Sequence, residues 1–155
     1  MNYIETKIRR GKQMEDGCIK KVTEHYLVDA VSFTEAEARV TKELAPYYTG
    51  DYIVTAVKKS NIAEVFQNIE HDAVSWYKVK ADFITIDERT GKEKRTSVNY
   101  LVQGGTCEAA IAHFRHSINM MADYDIMAVQ LTPILEVFDY RPDAASNATT
   151  NTEEA

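Results

Sequence analysis

DYIVTAVKKSNIAEVF (residues 51–66) lies over DYDIMAVQLTPILEVF (123–138) without a gap, and eight of the 16 positions are identical. The shared residues are the Asp-Tyr start, the Ala-Val centre, one Ile and the closing Glu-Val-Phe. Upstream, Tyr26-Leu27-Val28 matches Tyr100-Leu101-Val102, Gly17 matches Gly91, and Lys20-Lys21 matches Lys94-Arg95. Ordered matches over four consecutive segments point to an internal duplication. The period is longer than that of solenoid repeats, so two units packed together fit better than an array.

Each unit reads as strand, strand, helix, strand, with a short final strand. In the second, Tyr77, Val79, Ala81 and Phe83 alternate with Trp76, Lys78, Lys80 and Asp82, the period of a strand with one buried face. DERTGKEK (87–94) is a turn with Gly91 available for positive φ, and Val98, Tyr100 and Val102 mark the returning strand. In the first, Ile4, Thr6 and Ile8 face one way and Tyr3, Glu5, Lys7 and Arg9 the other, with MEDGC (14–18) as the turn. Thr34 followed by Glu37 predicts a capping box, with Phe33 and Ala38 as its staple. Ala36, Val40 and Leu44 form the helix stripe, and Pro46 ends it. In the second unit Thr106 is the expected cap, and Cys107, Ala110, Ile111, Phe114, Ile118 and Met121 the stripe. Strands are predicted over 52–59 and 124–131.

The expected fold is therefore α+β, an internal duplication of a strand–strand–helix–strand unit packed with pseudo-twofold symmetry and carrying antiparallel hairpins. Repeats 2–66 and 75–138 are expected to share one compact domain over 1–140, because a unit of this size alone buries only a thin core. Residues 67–75 serve as connector, and the polar, acidic tail 141–155 is expected to be disordered.

Composition is ordinary for a soluble chain, with 45% hydrophobic and 27% charged residues. No apolar run approaches a membrane span, and MNYIETKIRRGK (1–12) lacks the apolar core of a secretory signal. Cys18 and Cys107 show no paired spacing, which points to a reducing cytoplasm. Net charge is −6, yet the 16 Lys and Arg of residues 1–96 balance 16 Asp and Glu. The acidic excess belongs to the C-terminal part, so the average charge does not exclude an anionic partner.

KKVTEHYLVDAVSFTEAEAR (20–39), NIAEVF (61–66) and WYKVKADFITIDERTGKEKRTS (76–97) resemble a family of short proteins from Bacteroidota and their phages, known as domain of unknown function 4494. The resemblance covers residues 1 to about 140. It implies a bacterial or phage-infected cell and supplies no activity or functional residue.

Chemistry-bearing motifs are few. His113 and His116 are three apart on a helix, but a zinc site needs further ligands. Gly104-Gly105 lacks the rest of a phosphate loop and reads as a tight strand-to-helix turn; the first unit makes the same junction with DAVSF, so the glycines look dispensable to the fold. Asp51 and Asp123 read as turn residues, and Glu64 and Glu136 as exposed strand positions. No catalytic residue, metal ligand or cofactor is assigned.

The outward faces of the hairpins are more suggestive. By alternation the first presents Tyr3, Lys7, Arg9, Lys21, Thr23 and His25, and the second Trp76, Lys78, Lys80, Arg95, Ser97 and Asn99. An aromatic with several cations on each unit would stack bases and neutralise phosphates. The expected function is thus a non-enzymatic accessory protein that binds single-stranded nucleic acid, with Tyr3, Lys7, Arg9, Lys21, Trp76, Lys78, Lys80 and Arg95 as contacts. The alternative is a homo-oligomeric assembly or small-ligand-binding module of a phage or mobile element, without nucleic-acid binding. An enzyme acting on nucleotides through Asp51, Asp123 or the helix histidines ranks third.

Overall fold

A computed structural model describes residues 2–48, 50–118 and 123–139. The first hairpin pairs β1 (Tyr3–Gln13) with β2 (Ile19–Asp29) in unbroken antiparallel register, from Tyr3 opposite Asp29 to Gln13 opposite Ile19. Its turn uses Gly17 at φ 86°. Helix α1 (Phe33–Leu44) follows, then a short 3-10 turn, β3 (Tyr52–Lys59) and β4 (Ile62–Phe66). The order recurs in β5 (Ser75–Ile86), β6 (Glu93–Gly104), α2 (Cys107–Ser117), β7 (Asp123–Leu131) and β8 (Ile134–Phe138). The protein is α+β, with two helices and two mixed four-stranded sheets among the described residues.

Helix α1 starts two residues earlier than the sequence suggested. Ser32, not Thr34, is the N-cap; its Oγ accepts from the Glu35 N–H, and Glu35 Oε2 accepts from the Val31 N–H, both at 3.1 Å. Phe33 is the first helical residue and lies exposed, so the staple does not form. Ser is the somewhat better cap of the two, and with β2 ending at Asp29 it is Ser32 that stands at the helix start. The stripe Ala36, Val40, Leu44 is buried as expected. In α2, Thr106 caps as read, and Ala110, Phe114 and Ile118 are buried, whereas Cys107 is exposed. Met121 and the tail 141–155 lie outside the described residues.

Strand exchange sets the tertiary arrangement. The sheet orders are β3-β1-β2-β8 and β4-β6-β5-β7. Strand β4 follows β3 in the chain but runs parallel to β6 in the second sheet. Strand β8 follows β7 but runs parallel to β2 in the first. Each half thus hands its last strand to the other.

Each sheet packs one face against a helix. Ile4, Ile8, Tyr26 and Val28 meet Ala36, Val40 and Leu44 of α1. Tyr77, Val79, Tyr100 and Val102 meet Ala110, Phe114 and Ile118 of α2. The opposite faces meet each other in a third core, where Tyr3, Leu27 and Val137 of the first sheet join Ile62, Trp76 and Leu101 of the second. This layer corrects the expectation that Tyr3 and Trp76 face solvent: each is only 3% exposed. Alternation identified their face correctly. That face is covered by the other sheet, a relation no local pattern reports.

Trp76 is the sole tryptophan, so it reports on this layer. Native emission should be blue-shifted and shielded from acrylamide, shifting red on unfolding. Trp76→Ala should cost about 3–5 kcal/mol, measured by denaturant melts.

Candidate functional site

Aligning the two halves on their helix caps, Ser32 and Thr106, shows where they part. On the helix-facing side of β1 and β2, Arg10 and Glu24 follow the apolar Ile8 and the buried Tyr26. The corresponding positions of β5 and β6 hold Phe83 and Val98. On the helices, Val40 stands where the second half has Phe114. Phe114 is the hub of the second core: its ring centroid lies 5.2 Å from Tyr100, 5.8 Å from Tyr124 and 6.0 Å from Phe66. Valine supplies no such ring. Val40 is fully buried and lies outside the lining of the cavity, of about 450 Å³, that opens beside Arg10 and Glu24.

The cavity holds a connected polar cluster. Arg10 Nε donates to Glu24 Oε1, and the Tyr26 hydroxyl donates to Glu24 Oε2 at 2.6 Å. The Tyr26 and Tyr48 hydroxyls are 3.4 Å apart. The Arg10 guanidinium lies over the Tyr48 ring, 4.7 Å from its centroid, a cation–π contact. Tyr26 stacks on Phe138 of β8 at 5.6 Å, so the exchanged strand forms one wall. Glu43, Tyr47, Leu135 and Glu136 complete the lining from the α1 end and β8. Glu136 pairs in register with Tyr26, and its counterpart Glu64 pairs with Tyr100, which gives the recurring glutamates a place beside a buried phenol.

Burial pushes the Tyr26 phenol well above its ordinary pKa, and its hydrogen bonds with Glu24 and Tyr48 push further the same way. Burial likewise raises Tyr48. Both phenols therefore remain protonated donors at neutral pH. The site can hold a ligand by ring faces, hydroxyls and carboxylates. Among the described residues it holds no His, Cys or Ser nucleophile.

Of the proposed nucleic-acid contacts, Arg9 and Lys21 line one shallow pocket with Arg10, Asp51 and Tyr52, and the rings of Tyr3 and Trp76 lie elsewhere. Arg9, Lys21, Lys80 and Arg95 are exposed, while Lys7 and Lys78 are half-buried. Arg95 reaches Asp125 at 3.2 Å and Glu93 at 3.8 Å. Asp82, on the face read as outward, is buried and accepts from Ser97 Oγ at 2.6 Å. Tyr3 and Trp76 stand in the inter-sheet core, away from any base.

The other motifs resolve structurally. His113 Nε2 lies 2.8 Å from the Gln67 carbonyl oxygen, tying α2 to the connector, and His116 is exposed. Among the described residues no three His, Cys, Asp or Glu side chains gather as a metal site. Asp51 precedes β3 and Asp123 begins β7, outer strands of different sheets. Gly105 proves sterically constrained, correcting the view that the glycines are dispensable. A Cβ there would lie 2.6 Å from the Asp72 carbonyl oxygen, because the connector passes against this turn. Sequence reasoning missed Arg10, Glu24, Tyr26 and Tyr48 as a group. The available signal was the repeat itself, at the points where a charged residue replaces an apolar one.

Fold and site together define an α+β protein of two helix-backed, strand-exchanged sheets, with a polar–aromatic cavity on one half. The chain belongs to the family described as Domain of unknown function (DUF4494), whose profile matches residues 2–140. No curated protein and no solved structure matches it. Among the described residues no helix is long and apolar enough to cross a membrane.

A phenol whose folded pKa is raised stabilises the fold fully below its unfolded pKa of 10.0, and that stability drains away as pH climbs toward the folded value. Tyr3, which burial pushes up to about 12, loses its contribution across pH 10 to 12, and Tyr26 over a wider span. Tyr26→Phe should cost about 1–3 kcal/mol at neutral pH, through the lost bond to Glu24. It should also flatten the alkaline loss. Melting temperature against pH, with phenolate absorbance alongside, checks both.

Proposed function

We propose that this protein is a small-ligand-binding module without nucleic-acid binding, and that the cavity beside Glu24 is its seat. The observation that carries this is the contrast between halves. Where one half packs Phe83 and Val98, the other places Arg10 and Glu24 beside an opening of about 450 Å³. A polar cluster in a core position costs stability unless every member is satisfied. Its presence in one half alone is what a binding site, rather than a packing requirement, would produce.

We also infer that the two halves arose by duplication and pack about a pseudo-twofold axis. The recurring element order and the reciprocal exchange of β4 and β8 support this. Duplication leaves one half free to keep a packed core while the other acquires a site. The exposed, unbridged Cys18 and Cys107 support a reducing, cytoplasmic setting. Burial of Tyr3 and Trp76 removes both rings on which base stacking was to rest.

The test is saturation-transfer NMR with a mixed set of fragment-sized amines, carboxylates and neutral aromatics. Leu135→Trp serves as the blocked variant; Leu135 lines the cavity and is 52% exposed, so the larger ring is tolerated by the fold. Signals from at least one class, lost in Leu135→Trp, are expected. No signal, or signals unchanged by the variant, would overturn the reading. So would retention on single-stranded DNA that falls steeply with salt and weakens in Arg9→Ala or Lys80→Ala.

A further inference from the structure

We propose that the cavity takes an organic cation, an ammonium group carried on a small apolar body. This inference rests on the ligand-binding reading above and adds the chemical class. The charge of the lining carries it. Among the described residues Arg10 is the only basic one in the lining, and it is already joined to Glu24. Glu43 and Glu136 stand at the rim, and among the described residues neither makes an ion pair. With one cation neutralised and two carboxylates uncompensated, the cavity carries a negative potential. Among the described lining residues, none offers an entering anion a free counter-charge.

The ring faces point the same way. The quadrupole of an aromatic face attracts positive charge. The Tyr48 ring is engaged by the Arg10 guanidinium at 4.7 Å, so a ligand cation would meet another ring of the lining. That ring is Tyr47, in the lining and 78% exposed. Leu44, Leu135 and Phe138 provide apolar surface for the body of the ligand. The volume falls in the lower part of the range usual for small-molecule pockets, of roughly 300–1,000 Å³. A free amine of fragment size fits that space. The arrangement does not suit a hard metal ion, which wants converging oxygen ligands at short range rather than ring faces.

The experiment is calorimetric titration of the full chain with phenethylammonium and choline, set against 3-phenylpropionate and 2-phenylethanol, which share the apolar body of phenethylammonium but not its charge. The cations should bind with millimolar or tighter affinity, and added salt should weaken them. The double variant Glu43→Gln/Glu136→Gln should lower their affinity roughly tenfold, since two exposed partly screened carboxylates are removed. Both residues are exposed, so a melting curve close to that of the parent is expected. Leu135→Trp should abolish binding of every probe. If the carboxylate or the alcohol binds as tightly as the amine and is lost in Leu135→Trp, the cation assignment falls while the pocket stands. Cation binding unaffected by the glutamate substitutions also overturns the assignment. If no probe binds at millimolar concentration, the pocket reading falls with it.

Discussion

The contact on which the rest depends is the back-to-back packing of the two sheets. Leu27 and Leu101 are both fully buried there, flanked by Tyr3 and Trp76. A four-stranded sheet with one helix on it has a second face that must be either polar or covered. Near the starts of β1 and β5 that face is apolar, and each sheet covers the other. Burying these side chains yields the free energy that holds the halves together, at about 25 cal/mol per Å² of apolar surface.

Strand exchange makes this contact hard to undo. Val137 and Ile62 belong to the exchanged strands and sit in the same layer as Leu27 and Leu101. Separating the sheets would also strip β8 from β2 and β4 from β6. The exchange fills one edge of each sheet with a short parallel strand, β8 or β4, and β3 and β7 form the opposite edges. All four edge strands carry a register break against their partners, those of β3 and β7 beside Lys7 and Lys80. Such breaks blunt an edge against unwanted pairing, and Lys58 and Lys59 on β3 act in the same direction.

The exchanged strand also links architecture to chemistry. Phe138, Leu135 and Glu136 reach the cavity only because β8 lies against β2. The wall beside Tyr26 therefore comes from the far end of the chain. A site assembled this way forms only when both halves have folded and crossed over. The counterpart strand β4 brings Phe66 to Tyr100, where the rings close over an apolar core instead.

Local structure was legible in the residues. The alternation in both hairpins, the strand at 52–59, the Thr106 cap and the stripe Ala36, Val40, Leu44 all follow from short-range periodicity and capping chemistry. The repeated DY…AV…EVF pattern foretold that element order would recur. Which residues share a face is a property of the pleat, so Tyr3 and Trp76 were placed on the right side of their strands. What covers that face depends on pairing between segments far apart in the chain, and only the tertiary structure decided it. The same holds for the exchange of β4 and β8 and for the meeting of Arg10, Glu24, Tyr48 and Phe138, because parallel pairing and pocket closure are set by the packing of whole sheets rather than by any local stretch.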